Sequence, residues 1–331
     1  MSKKAPILLL TFVAALFIFI VYGDLLLSAN SHLFSQGRDG MKNYYTYSYH
    51  IVNDNSFSNF MGMNYPYGDS IFFTDGHPLL ATGLKFVGGS SLFVARYNVG
   101  ILNIMLIASI FIMFFVCYKL LKEFGIRSWF SVLFSIGMTL LSPQISRLVG
   151  GHLALSYSFA LPLTWLLTIK FIKDKTRKDL LIYLLLSSLF WLFTHAYLGV
   201  ICILFGVLIV LFNYIFTEKR QVNRVQTSSI LLTLIVPILI FLFISKATDS
   251  HTNRTDNPSG FFNYNAELDD VLVPHHPPLR PILDELTDNK IRLKQEAWSY
   301  IGVSTTLLLF VLLVLRIVQF FRKESSRFLH S

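Results

Sequence analysis

The chain has 331 residues, of which 53% are hydrophobic and only 14% charged. A soluble domain would carry roughly 25% charged residues, so composition excludes an ordinary water-soluble enzyme and predicts a polytopic membrane protein. The formal charge of +9 does not mark a nucleic-acid binder, because Lys and Arg fall in short groups between apolar runs rather than on one basic face.

Met1-Ser-Lys-Lys is followed by an apolar run over 5–22, longer than a signal-peptide h-region and with no small-x-small cleavage site after Tyr22. It predicts a retained signal anchor. A long polar stretch follows, with its chemistry concentrated in 39–78. It holds Asp39, Lys42, Asp54, Asp69, Asp75 and His77, together with Tyr44, Tyr45, Tyr47, Tyr49, Tyr65 and Tyr67, amphipathic rings suited to a membrane–water boundary. A helix-like run covers 41–52, and the glycine-containing run 79–92 predicts a short interfacial helix.

Further spans are predicted at about 94–118, 128–145 and 153–172. The loop between the last two carries Arg147 and His152. Residues 180–216 contain no Asp, Glu, Lys or Arg. One helix of that length would be about 55 Å long at 1.5 Å per residue, too long for a bilayer core of about 30 Å, so the run predicts a hairpin of two spans turning near His195-Ala-Tyr-Leu-Gly199. A seventh span is predicted at 228–245, a second polar segment at 246–297 and an eighth span at 298–315. The chain thus reads as an all-α polytopic protein with about eight transmembrane helices, a single membrane domain over 1–331, and two extracytoplasmic segments, 23–93 and 246–297. With both termini in the cytoplasm, 17 Lys and Arg lie inside and 11 outside, although the outer segments are far longer. This satisfies the positive-inside rule and places 14 of 19 acids and 8 of 9 histidines outside.

No predicted span has a charge in its middle, which argues against an ion-coupled transporter. Cys117 and Cys202 lie in apolar runs, outside any disulfide or metal spacing, and His275-His276 reads as a solvated pair. No motif requires a metal or another cofactor. Asn253-Arg-Thr255 matches the glycosylation pattern, one that arises often by chance. Asp54, in Asn53-Asp-Asn-Ser, reads as a solvated turn residue.

Asp39 has two readings: an N-cap for the following helix, or a general base at the bilayer surface that takes the proton of an attacking hydroxyl. Asp75 and His77, in the turn Thr-Asp-Gly-His-Pro, would orient the acceptor or the base. Lys42, Arg147, His152 and His195 supply donors on the outer face to a phosphate leaving group.

Three motifs, Arg38-Asp39-Gly40-Met41-Lys42-Asn43-Tyr44-Tyr45, Gly62-Met63-Asn64-Tyr65-Pro66-Tyr67-Gly68 and Phe73-Thr74-Asp75-Gly76-His77-Pro78, carry a resemblance. Together with the signal anchor and the long first outer loop, they resemble the GT-C membrane glycosyltransferases, which include protein O-mannosyltransferases and lipid A aminoarabinose transferases. They are most similar to bacterial members of the Bacteroidetes type. The resemblance spans roughly 1–315. It implies a sugar donor on a polyprenyl phosphate, an acceptor hydroxyl on a lipid, glycan or protein, inversion at the anomeric carbon, and location in the cell (inner) membrane. Asp39 would be the catalytic base.

Overall fold

The computed structural model describes residues 4–88, 91–216, 224–251, 253, 267–274, 279–287 and 301–328. They are almost entirely helical and form two compact units, Met1–Thr252 and Asn253–Ser331.

In the first unit, α1 (Ala5–Leu27) is followed by α2 (Arg38–Val52), a short antiparallel pairing of β1 (Asn59–Phe60) with β2 (Asp69–Ser70), and α3 (Pro78–Gly88). Then come α4 (Leu92–Glu123), α5 (Ser128–Leu140), α6 (Pro143–Val149), α7 (Ala160–Lys173), α8 (Asp179–Thr194), α9 (Ala196–Phe216) and α10 (Arg224–Thr248). The second unit has α11 (Leu268–Leu272), α12 (Leu279–Leu286) and α13 (Val303–Phe328).

Local chemistry sets these boundaries. Ser91 caps α4 by accepting from the Phe93 N–H. At the other end Gly125 takes φ +76°, and the N–H groups of Gly125 and Ile126 bond back to Lys122 and Leu121. That is a Schellman stop, in which glycine holds the left-handed position without a Cβ penalty. Pro143 lacks an N–H and disfavours helix at Ser142, so the run expected as one span over 128–145 divides into α5 and α6. The charge-free run turns where expected: α8 ends at Thr194, α9 begins at Ala196, and His195 alone is extended between them.

Helix α1 packs on α4 and α5, α4 on α7, and α8 and α9 pack on each other and on both α7 and α10. Leu10, Ala14, Leu102, Leu106, Ile110, Phe114, Trp191 and Cys202 share one core, and Leu184, Ile203, Val210, Ile230 and Leu234 a second. The outward faces are also apolar: Phe12, Phe19 and Ile20 on α1 and Phe243 on α10 are each at least 64% exposed. So much uncovered apolar surface is what lipid-facing helices present. Among the described residues no Asp, Glu, Lys or Arg is buried within α1, α4, α5, α7, α8, α9 or α10.

Among the described residues six helical stretches are long and apolar enough to cross a membrane, against the eight spans expected. The difference lies in two places. Helix α8 has 16 residues, about 24 Å against a core of about 30 Å, and in α13 the apolar stretch among the described residues is Val303–Gln319. Residues 298–300 of the expected eighth span lie outside the described residues, as do His275, His276, and Arg254 and Thr255 of the glycosylation pattern.

Contacts define two ends of the first unit. At one, Glu123 pairs with Lys170 and Lys173, and Arg177 grips Asp179 through two hydrogen bonds. At the other, Asn30 donates to the Arg96 carbonyl, Thr248 meets Ser70, and His251 is bonded to the Gly68 carbonyl. Because both free cysteines are buried, thiols introduced at the exposed positions Gln36 and Lys175 can report sidedness. We expect Gln36→Cys to react with an impermeant maleimide on intact cells and Lys175→Cys to react only after permeabilisation. The reverse pattern would invert the orientation.

Candidate functional site

Helix α2 carries the site. Its N-cap is Gly37, so Asp39 lies within the first turn, and no side chain caps the helix. The N-cap reading of Asp39 is therefore replaced: its carboxylate stands at the positive end of the helix dipole without capping it. Asn43, one turn on, donates from Nδ2 to the Asp39 carbonyl at 2.7 Å and to the Gly151 carbonyl at 3.2 Å. Gly151 has φ +85°, and a Cβ there would come within 2.5 Å of the Gly40 nitrogen. Only a glycine lets the α6–α7 connection come this close to α2, and the contact brings His152 beside Asp39.

Lys42 joins two carboxylates. Its Nζ is 3.3 Å from Asp39 Oδ1 and 2.7 Å from Asp75 Oδ2. Asp75 Oδ1 is in turn 3.3 Å from Nε2 of His195 at the α8–α9 turn, and His152 Nδ1 is 3.9 Å from Asp39 Oδ2. Five residues expected from sequence thus form one run of contacts, His152–Asp39–Lys42–Asp75–His195. Lys42, Asp39, Asp75 and His152 are about half exposed, whereas the His195 side chain is only 10% exposed.

The two acids have different environments. The hydrogen bond to His195 and then those from Lys42 outweigh burial and hold the Asp75 carboxyl well below the usual carboxylate range. Burial alone would lower the Lys42 pKa, but hydrogen bonding and charge from Asp75 and Asp39 raise it overall. Lys42 therefore stays an ammonium and Asp75 a carboxylate at neutral pH. Asp39 has the longer Lys42 contact at one oxygen and His152, 3.9 Å away, beside the other.

The remaining two expected residues stand apart. Arg147 is exposed on α6 and makes no ion pair among the described residues, although its carbonyl accepts from the His152 N–H at 3.0 Å. His77 is fully buried against the edges of Tyr47 and Tyr157, with ring centroids 6.4 and 5.7 Å away, and neither ring nitrogen has a partner. Burial, reinforced by His195, lowers its pKa to about 3. It is a neutral wall behind Asp75 and has no access to an external molecule.

Sequence reasoning gave no role to Asn43, although its position four residues after Asp39 was a readable cue for a bond to the helix's first turn. Tyr47, Tyr157 and Trp191, the ring stack behind His77, carried no such signal. Beside them a cavity of about 300 Å³ opens, lined by Leu80, Leu84, Met105, Tyr157, Phe190 and Thr194; Thr194 directly precedes His195. No group of three His, Cys, Asp or Glu side chains suited to hold a metal ion occurs among the described residues.

Asp54 is also not where its polar neighbours suggested. It is buried, its Oδ2 lies 2.7 Å from His50 Nδ1, and its Oδ1 accepts from the Met61 N–H at 2.9 Å. Lys85 donates to the carbonyls of both His50 and Asp54. This cluster locks the far end of α2 to α3. Removing one member of a buried pair costs on the order of 3 kcal/mol or more, so Asp54→Ala should lower the thermal midpoint by several degrees in a detergent unfolding assay.

His77 gives the site a pH signature. Its folded pKa of about 3 lies below the ordinary 6.5, so between these values the unfolded chain binds the extra proton. The stability contribution is complete above pH 6.5 and is lost as pH falls through that window. The slope from this one group is at most about 1.4 kcal/mol per pH unit. Asn tolerates the left-handed backbone found here, φ +52°. Thermal unfolding at about pH 7.5 and about 5.5 should therefore show His77→Asn losing about 1 kcal/mol less than wild type over that interval. Equal losses would mean that His77 is already charged in the folded state.

A family model described as Domain of unknown function (DUF6311) matches residues 10–330, and the chain belongs to that family. No curated protein and no solved structure matches it.

Proposed function

We propose that this member of the DUF6311 family is a membrane glycosyltransferase of the GT-C type. It moves a sugar from a polyprenyl-phosphate donor to a hydroxyl acceptor on the outer face of the cell membrane, with both termini in the cytoplasm. The observation that carries this reading is the single run of contacts from His152 through Asp39, Lys42 and Asp75 to His195. These residues are scattered over the sequence and gather at the end of the bundle that the positive-inside rule assigns to the exterior.

Each group has a task in this reaction. The acceptor oxygen attacks the anomeric carbon as its proton passes to Asp39, the less closely paired of the two carboxylates. The bond from that carbon to the phosphate oxygen breaks with inversion, and the electron pair leaves on the phosphate. Lys42, His195 and His152 supply charge and N–H groups to it, with Arg147 at the rim. Asp75, held ionised, keeps Lys42 and His195 in place and is too weak a base to take the proton itself. The apolar cavity that Thr194 helps to line suits the lipid chain, with its phosphate near His195, the next residue. The absence of a buried acid or base within the long helices, among the described residues, favours this reading over an ion-coupled transporter.

The test is transfer by purified protein from a polyprenyl-phosphate sugar. An amide cannot accept the proton, so Asp39→Asn should lower the rate by about 10²- to 10⁴-fold at unchanged thermal stability. Asp179→Asn, at the opposite end, should stay within severalfold of wild type. Full activity in Asp39→Asn would remove the base assignment.

A further inference from the structure

The tyrosine-rich run of α2 is divided by the helix itself. Tyr44 and Tyr47 are buried and hold α2 to α4: the Tyr44 hydroxyl bonds to Asn103 and that of Tyr47 to the Asn98 carbonyl. Tyr45 and Tyr49 face the other way, onto a cleft of about 380 Å³ between α2 and the start of α4, whose other polar walls are Asn30, Ser48, Asn53, Arg96 and Asn98. Along α2, Asp39, Lys42, Tyr45 and Tyr49 follow at intervals of three or four and share one face. The cleft thus begins one helical turn beyond Lys42.

Its two rings, Tyr45 exposed and Tyr49 half-buried, are held in place. Their centroids are 5.5 Å apart, the buried Phe60 packs edge-on behind Tyr49 at 5.6 Å and behind Tyr45 at 6.4 Å, and the Tyr45 hydroxyl donates to the Gly62 carbonyl. Asn30 and Ser48 are engaged with the frame: Asn30 with the Arg96 carbonyl and the Gly100 N–H, Ser48 with Asn98. Three groups are left available. The Tyr49 hydroxyl and the Asn53 amide have no side-chain hydrogen bond among the described residues, and the Arg96 guanidinium has no carboxylate there, only the Tyr97 ring at 5.6 Å.

We infer that this cleft binds a saccharide carrying an acidic group. Fixed aromatic faces beside hydroxyl and amide groups match the apolar C–H face and hydroxyl edge of a pyranose, and an unpaired guanidinium is suited to a carboxylate or phosphate on it. Identifying that saccharide as the acceptor rests on the transferase reading, because the cleft adjoins Asp39. The binding itself does not rest on it.

The experiment is calorimetric titration of the full chain in phosphatidylcholine nanodiscs with trigalacturonic acid, and with maltotriose as the neutral control. Trigalacturonic acid should bind saturably and maltotriose at least about tenfold more weakly, because a charged hydrogen bond contributes about 1.5–3 kcal/mol. Arg96→Gln and Tyr49→Ala should each weaken binding by about tenfold or more, while Tyr49→Phe, which keeps the ring, should stay within about threefold. Asp39→Asn should bind like wild type whatever its transfer rate, which separates failure of this inference from failure of the base assignment. Absence of binding at millimolar ligand, or wild-type affinity in both Arg96→Gln and Tyr49→Ala, would overturn the inference. Loss of trisaccharide binding when phosphatidylglycerol is added to the discs would overturn it in favour of a lipid phosphate at Arg96.

Discussion

Two carboxylates brought together at a surface repel, and in this protein a single ammonium makes their proximity tolerable. Lys42 stands between Asp39 and Asp75, one from its own helix and one from the loop that follows β2. Much of the unit serves to present that triad. Asn103 holds the α1–α2 connection by donating to the carbonyls of Ala29 and His32, Tyr47 and Ser48 tie α2 to α4, and the His50–Asp54–Lys85 cluster joins α2 to α3. Exposed ion pairs contribute little to stability, so the triad does not hold the fold together. The buried hydrogen bonds around it do that, leaving its charges available for chemistry.

The two acids illustrate how environment separates like groups. Asp75 has a near cation and a partly buried imidazole, and is fixed as an anion. Asp39 shares the cation at a longer distance and its side chain is about half exposed. The division follows from their supports: Asp75 lies on a loop pressed against the α8–α9 turn, while Asp39 sits in the first turn of α2, beside the Gly151 connection.

Much of this was legible in the sequence, for identifiable reasons. A charge-free run too long for one crossing required a hairpin, and its turn fell on His195. The grouping of acids and histidines away from the basic loops pointed to the end where His152, Asp39, Lys42, Asp75 and His195 gather. Where the sequence misled, a long-range contact overrode a local cue. Asp54 sits in a polar run that looks solvated, yet His50 at four residues' spacing and Lys85 on another helix enclose it. His77 shares a motif with Asp75 but turns inward, because φ +52° at His77 sends successive side chains to different sides. The tyrosines gave an interfacial signal without revealing which of them were core, a division that depends on where α4 lies.

The shortness of α8 has a consequence for the surroundings of the molecule. At about 24 Å it falls some 6 Å short of an average hydrocarbon core, and its C-terminal end is the turn that carries His195. A bilayer adapts to such a hydrophobic mismatch by thinning locally. On the membrane reading, the headgroup plane then dips beside His195, and a lipid-borne phosphate at its ordinary depth would meet the imidazole without being lifted out of its leaflet.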